Sequence, residues 1–277
     1  MLNFLCDLAN KGKQFRCYLH LLLSTYFCGM QKKRYFLELS YNGTNYHGWQ
    51  MQQNAHSIQK EVENALSVIF QDRISVTGAG RTDTGVHAEQ FFAHADLDEI
   101  PENFLWRING ILPKDIALHR ILPVVSAAHA RFDASNRRYK YIISRKKNVF
   151  MQELSYFIHR SLDVEEMNKA ASFLMGEQDF SCFSKTHTQT LTNICEITEA
   201  EWGEENNLLV FHVTANRFLR NMVRAIVGTM LEVGEGNISS EAVKEIIASK
   251  DRSKAGFSVP AQGLYLSSVK YPSTLFI

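Results

Sequence analysis

The stretch GAGRTDTGVHA, Gly78 to Ala88, sets three glycines, one arginine and one aspartate within eleven residues. The residues leading into it, ISVTG, alternate as a strand does, and EQFFAHADL beyond it reads as the returning strand. The motif therefore fills a connection between strands, where an aspartate ordinarily hydrogen-bonds its own backbone. A chemical role for Asp83 asks for more: a cation to favour its charged form, a path for a ligand, and a second group to move protons. Gly78, Gly80 and Gly85 are expected to open that path, because backbone without Cβ admits close approach. If the segment is extended, Arg81 and Asp83 share one side of it.

Upstream, RYFLELSY from Arg34 reads as a strand, and YNGTNYHGWQ punctuates it with glycines. Ser57 is placed to cap a helix carrying Ile58, Val62, Leu66, Ile69 and Phe70 on one stripe. Downstream, a helix is expected from Pro101, which suits a first turn, and strands at IALHRILPV and RYKYIISR. Asp163 caps a helix expected to end at Gly176. Alternating segments follow at 191–202 and 208–215, then helices over 218–233 and 239–248 and a last strand at GLYLSSVKY. Strands and helices do not alternate strictly, so the pattern predicts an α+β fold with antiparallel sheet.

Two further groups bear on chemistry. In NRFLRNMVRAIVG, the spacing predicts Arg217, Arg220 and Arg224 on one helix face, a cationic surface that suits phosphates or a carboxylate. In RRYKYIISRKK, six of eleven residues are basic, and Tyr139 sits beside Arg137, Arg138 and Lys140, where it can stack on a base or transfer a proton. A solvated basic face and a core tyrosine are the plainer readings of the same residues.

The 277 residues suffice for one large domain or two modest ones, and 45% hydrophobic with 21% charged residues is ordinary globular composition. A net charge of +1 leaves polyanion binding to local patches. Five widely spaced cysteines include no C-x-x-C pair, and ten histidines no H-E-x-x-H, so neither a disulfide framework nor a metal site is expected. The cysteine usage fits a cytoplasmic setting. The apolar run CYLHLLLSTYFCG is too short to span a bilayer and is interrupted by His20; residues 1–29 read as an extension ahead of a working start near Met30. No phosphate loop, dinucleotide fingerprint or Ser-His-Asp pattern is present.

GAGRTDTGVHA resembles the signature of the tRNA pseudouridine synthase A family. The resemblance runs from Arg34 to Pro272 through YNGTNYHGWQ, HARFDASNRRYKYII, GEQDFSCF, NRFLRNMVRAIVG and AQGLYL. It implies two related α+β halves, here 30–135 with the catalytic loop and 136–277 completing the site, around a central antiparallel sheet with a cleft across it. It implies a cytoplasmic homodimer that isomerises uridines 38, 39 and 40 of the tRNA anticodon stem-loop without cofactor or metal. Asp83 would be the catalytic carboxylate and Arg224 its paired cation. Tyr139 would stack on the base and be a candidate to remove the C5 proton, while Leu264 lines the pocket. Arg81 would meet RNA and help move the base out, with Arg217, Arg220 and Arg138 as further RNA contacts. A non-catalytic RNA-binding protein on the same scaffold is the alternative; it has no use for Asp83, Arg224 and Tyr139 together.

Overall fold

The computed structural model describes residues 32–185 and 191–277. The readings made for residues 1–29 and for Cys6, Cys17 and Cys28 lie outside the described residues. Among the described residues ten strands form one sheet: β1 (Lys33–Tyr41), β2 (Thr77–Gly78), β3 (His87–Leu97), β4 (Ile116–Pro123), β5 (Asn136–Ser144), β6 (Tyr156–Phe157), β7 (Gly176–Asp179), β8 (Ile194–Glu205), β9 (Leu208–Ala215) and β10 (Leu264–Lys270). The helices are α1 (Ile58–Phe70), α2 (Phe104–Ile111), α3 (Val164–Ser172), α4 (Met222–Gly234) and α5 (Ala242–Ser249).

The main strand order is β4-β1-β3-β10-β5-β9-β8-β7, with β2 paired to β3 and β6 to β5. The sheet is mixed, with β3–β10 and β5–β6 parallel, where the element order predicts an antiparallel sheet. Two antiparallel blocks meet at a parallel seam between β3 and β10, registered at Tyr265 with His87 and Leu266 with Ala88. The parallel pair arises because β10 returns from the far end of the chain. Two cores result, and β10 contributes to both: Leu264 to the one around α4, Leu266 and Val269 to the one around α1.

The local chemistry of each element is legible. Ser57 accepts a hydrogen bond from the Lys60 amide and Asp163 one from the Glu166 amide, caps worth about 1 kcal/mol each. Helix α4 buries residues on nearly every side, so it threads the core instead of lying on it.

Three boundaries differ from expectation. Helix α2 begins at Phe104 because Asn103 is left-handed at φ 55°, three residues past Pro101. Helix α3 stops at Ser172, short of the left-handed Gly176. Helix α4 begins at Met222, since Asn221 is left-handed at φ 66° and the Arg220 carbonyl accepts from the Lys185 amide instead of the next helical turn. Of ISVTG, only Thr77 and Gly78 pair as strand. Among the described residues no helix is long and apolar enough to cross a membrane.

The YNGTNYHGWQ segment folds against the motif connection and fixes its path. The Trp49 amide donates to the Thr82 carbonyl and the Gly85 amide to the Tyr46 carbonyl. Gly48 is left-handed at φ 86°, and a Cβ there would stand 2.2 Å from the Thr82 oxygen. Gly48→Ala is therefore expected to cost roughly 2 kcal/mol or more, from left-handed strain and overpacking together. A urea midpoint within experimental error of the parent would refute this.

His94 on β3 is buried, its Nδ1 accepting the Ala130 amide, and burial pushes its pKa down to about 4. Between pH 6.5 and about 4 the unfolded chain binds a proton there that the folded chain does not, so stability falls on acidification across that window. The contribution is on the order of 3 kcal/mol. His94→Asn, which keeps an acceptor and removes the titration, is expected to flatten that part of the stability–pH curve.

Candidate active site

Asp83 sits in the connection from β2 to β3, in a turn closed by the Val86 amide donating to the Asp83 carbonyl. The backbone oxygen closes the turn; the side chain does not. Among the described residues no hydrogen bond reaches the Asp83 carboxylate. It faces two guanidinium groups: Arg224 Nη1 lies 3.8 Å from Oδ2, and Arg220 Nε lies 4.0 Å from Oδ1. These are ion-pair distances beyond hydrogen-bond length, so the carboxylate lone pairs stay open to a third group. At 30% exposure, the Asp83 side chain is neither sealed nor free in solvent.

The two cations are held differently. Arg224, in the first turn of α4, donates from Nε to the Val259 carbonyl at 2.7 Å, and the Val259 amide returns a bond to the Arg224 carbonyl. That anchor leaves Nη1 aimed at Asp83. Arg220 precedes the helix, and its side chain is 61% exposed. The expected cationic helix face does not form, because Arg217 and Arg220 both lie before Met222. The loop nonetheless delivers Arg220 to the carboxylate.

Tyr139 on β5 packs edge-on against Phe218, ring centroids 5.1 Å apart. Burial, with Asp83 adding to it and Arg137 opposing, pushes the phenol up to about 12, so it is protonated at neutral pH. Its hydroxyl has no hydrogen-bond partner among the described residues. Arg81 is exposed and likewise has no charged or hydrogen-bonding partner among them. Leu264 is buried at the start of β10, opposite Tyr141.

Arg138 is directed elsewhere. Neighbours on a strand point to opposite faces, and Arg138 pairs with Glu199 at 2.5 Å, away from the Tyr139 face. It lines a polar groove with Thr198, Thr214 and Ser268. Arg137, two residues before Tyr139, lies on the Tyr139 side of the strand. Its Nη1 donates to the Ala134 and Asn216 carbonyls and its Nη2 to those of Arg131 and Ala79. One guanidinium thereby ties the motif connection to the loop before α4.

The motif glycines divide their roles. Gly80 has open space where a Cβ would stand, as an approach path requires, and Gly85 is left-handed at φ 78°. Gly78 instead packs on Trp49, where a Cβ would meet the indole nitrogen at 2.4 Å. His87 completes the frame: Nδ1 accepts the Gly43 amide, Nε2 donates to the Gln262 carbonyl, and burial lowers its pKa. A separate concavity lined by Leu105, Trp106, Ile111, Leu118 and His119 includes none of these residues. Among the described residues no three His, Cys, Asp or Glu side chains are grouped to hold a metal.

Known proteins resemble this chain closely. A family model described as tRNA pseudouridine synthase matches residues 170–272. A tRNA pseudouridine synthase A of Porphyromonas gingivalis is 50% identical over 250 residues, covering 88% of this chain and 99% of the relative. That of Parabacteroides distasonis is 48% identical over 247 residues, covering 88% and 98%. That of Ruminiclostridium cellulolyticum is 41% identical over 240 residues, covering 85% and 98%.

Arg137→Lys removes the fork that spans four carbonyls and leaves some of them unpaired. It is expected to cost roughly 2–3 kcal/mol. The urea midpoint should fall with the m-value unchanged; a loss below about 0.5 kcal/mol would contradict the clamp.

Proposed function

The chain belongs to the tRNA pseudouridine synthase A family, which isomerises uridine to pseudouridine in tRNA, and we propose that Asp83 is the carboxylate that carries the reaction. The supporting observation is a turn aspartate whose side chain takes no part in its turn and instead faces Arg220 and Arg224 with its oxygens free.

The chemistry is balanced within the nucleotide. The N1–C1′ bond breaks, the base rotates, and a C5–C1′ bond forms; C5 loses a proton and N1 gains one. No redox partner and no net water enter. Breaking the sugar–base bond separates charge, and a carboxylate fixed between two guanidiniums is preorganised to stabilise it at the sugar. Arg224, anchored on Val259, holds that carboxylate in place. Tyr139 offers an aromatic face and a hydroxyl without a partner among the described residues; a phenol that keeps its proton at neutral pH suits stacking and hydrogen-bond donation.

A uridine in a stem must leave its stack before it reaches Asp83, at a cost of a few kcal/mol. Arg81, exposed and unpaired beside the open Gly80, is the residue we assign to that step, with Arg217 and Arg220 as neighbouring phosphate contacts. The motif resemblance supports the anticodon stem-loop, uridines 38 to 40, as substrate and a homodimer as the working form. Arg138, turned to the other face and paired with Glu199, is left out of this site.

The test is tritium release from C5-labelled unmodified tRNA. Asp83→Asn is expected to lower release by about 10⁴-fold or more while retaining tRNA binding. Arg224→Lys, which cannot both bond Val259 and face Asp83, should lose about 10²-fold or more. EDTA should change neither. Binding without release by the parent protein would favour the RNA-binding scaffold instead.

A further inference from the structure

The loop HARFDAS, His129 to Ser135, turns an aromatic ring outward while every turn of its backbone is held down. Phe132 is 73% exposed. Its ring leans on His129, centroids 4.3 Å apart at 33°, and the Arg131 guanidinium stands 5.6 Å from the centre of the ring. His129 Nδ1 accepts the Arg131 and Phe132 amides at 3.1 and 3.3 Å, and Asp133 Oδ2 accepts the His129 amide at 2.7 Å. Beneath them, Ala130 is fully buried, its amide on His94 and its carbonyl taken by the Tyr271 hydroxyl. An exposed phenylalanine on a loose loop needs no explanation. One on so constrained a loop is preorganised, and preorganisation lowers the cost of binding.

The position of the loop says what it meets. Nη2 of Arg137 donates to both the Arg131 and the Ala79 carbonyl, so this loop and the motif connection meet on a single nitrogen. Asp83 is four residues beyond Ala79, at most about 14 Å of chain. Other exposed rings, Trp106 and Phe150, have no such link to Asp83 among the described residues. A partner with flat π faces and phosphates is already present in the reaction. In a paired stem both faces of a base are covered, so only an unpaired or splayed base can lie on a ring.

We propose that Phe132, backed by His129 and flanked by Arg131, is a stacking platform for an unpaired tRNA base near the reacting uridine. The role rests on the assignment of the Asp83 connection as the reaction site and adds a positioning residue to it.

Affinity for unmodified tRNA should be measured at several salt concentrations for the parent and for Phe132→Ala, Phe132→Leu and Phe132→Trp. The alanine variant should bind roughly five- to a hundredfold more weakly, the fold-change equivalent of about 1–3 kcal/mol for one stacked base. Leucine should not restore affinity; tryptophan should, with indole fluorescence quenched on adding tRNA beyond that of the parent. The salt slope should match the parent's, because no charge is removed. Thermal stability should also match, which separates the role from folding. Unchanged affinity of Phe132→Ala, in a protein whose parent releases tritium, overturns the platform and leaves the catalytic assignment standing. Unchanged affinity with altered oligomer size overturns it in favour of a subunit contact. A parent that neither binds tRNA nor releases tritium overturns both assignments.

Discussion

The half-buried guanidinium of Arg137 is the constraint on which the site depends. It has four backbone carbonyls as acceptors, drawn from the 131–134 loop, the motif connection and the strand exit at Asn216. Burying a cation without a carboxylate is costly, and burial lowers the Arg137 pKa accordingly. Charge-assisted bonds to several carbonyls offset that cost only while all the segments stay in place. The geometry around Asp83 is thus enforced by a group that never approaches the carboxylate, and a fault in any one segment is transmitted to the others.

The second constraint is electrostatic. Two guanidiniums against one carboxylate leave an excess of positive charge in the site, and both stop short of hydrogen-bonding distance. A closed bidentate pair would occupy the lone pairs that the chemistry uses. Anchoring Arg224 through its Nε to Val259 keeps it close without letting it collapse onto Asp83. Arg220, more exposed, is placed to meet an incoming phosphate as well. The same economy appears at Tyr139, held by Phe218 on its edge with its hydroxyl uncommitted.

Much of this was legible along the chain because it follows from local rules. Ser57 and Asp163 cap their helices as their positions predict, and strands form at 33–41, 87–97, 136–144 and 208–215, where the sequence pattern places them. Local rules failed where distant contacts decide the backbone. Asn221 is left-handed, its side chain bonded to Ser258, so the helix predicted from 218 starts late and the three arginines share no helix face. Gly78 was read as an opening and is filled by Trp49, a residue 29 positions away.

The sequence by itself determined the α+β class, the caps, most strands and the family, because propensity, periodicity and the motif spanning Gly78 to Ala88 are properties of contiguous residues. Only the tertiary structure decided that β10 would lie parallel beside β3, that Arg220 and Arg224 would converge on Asp83 from separate segments, and that Arg137 would clamp the motif. Those are contacts between residues as much as 178 positions apart in the chain, as Leu266 is from Ala88. Their partners are selected by packing and by the need to satisfy buried polar groups, which no local pattern encodes.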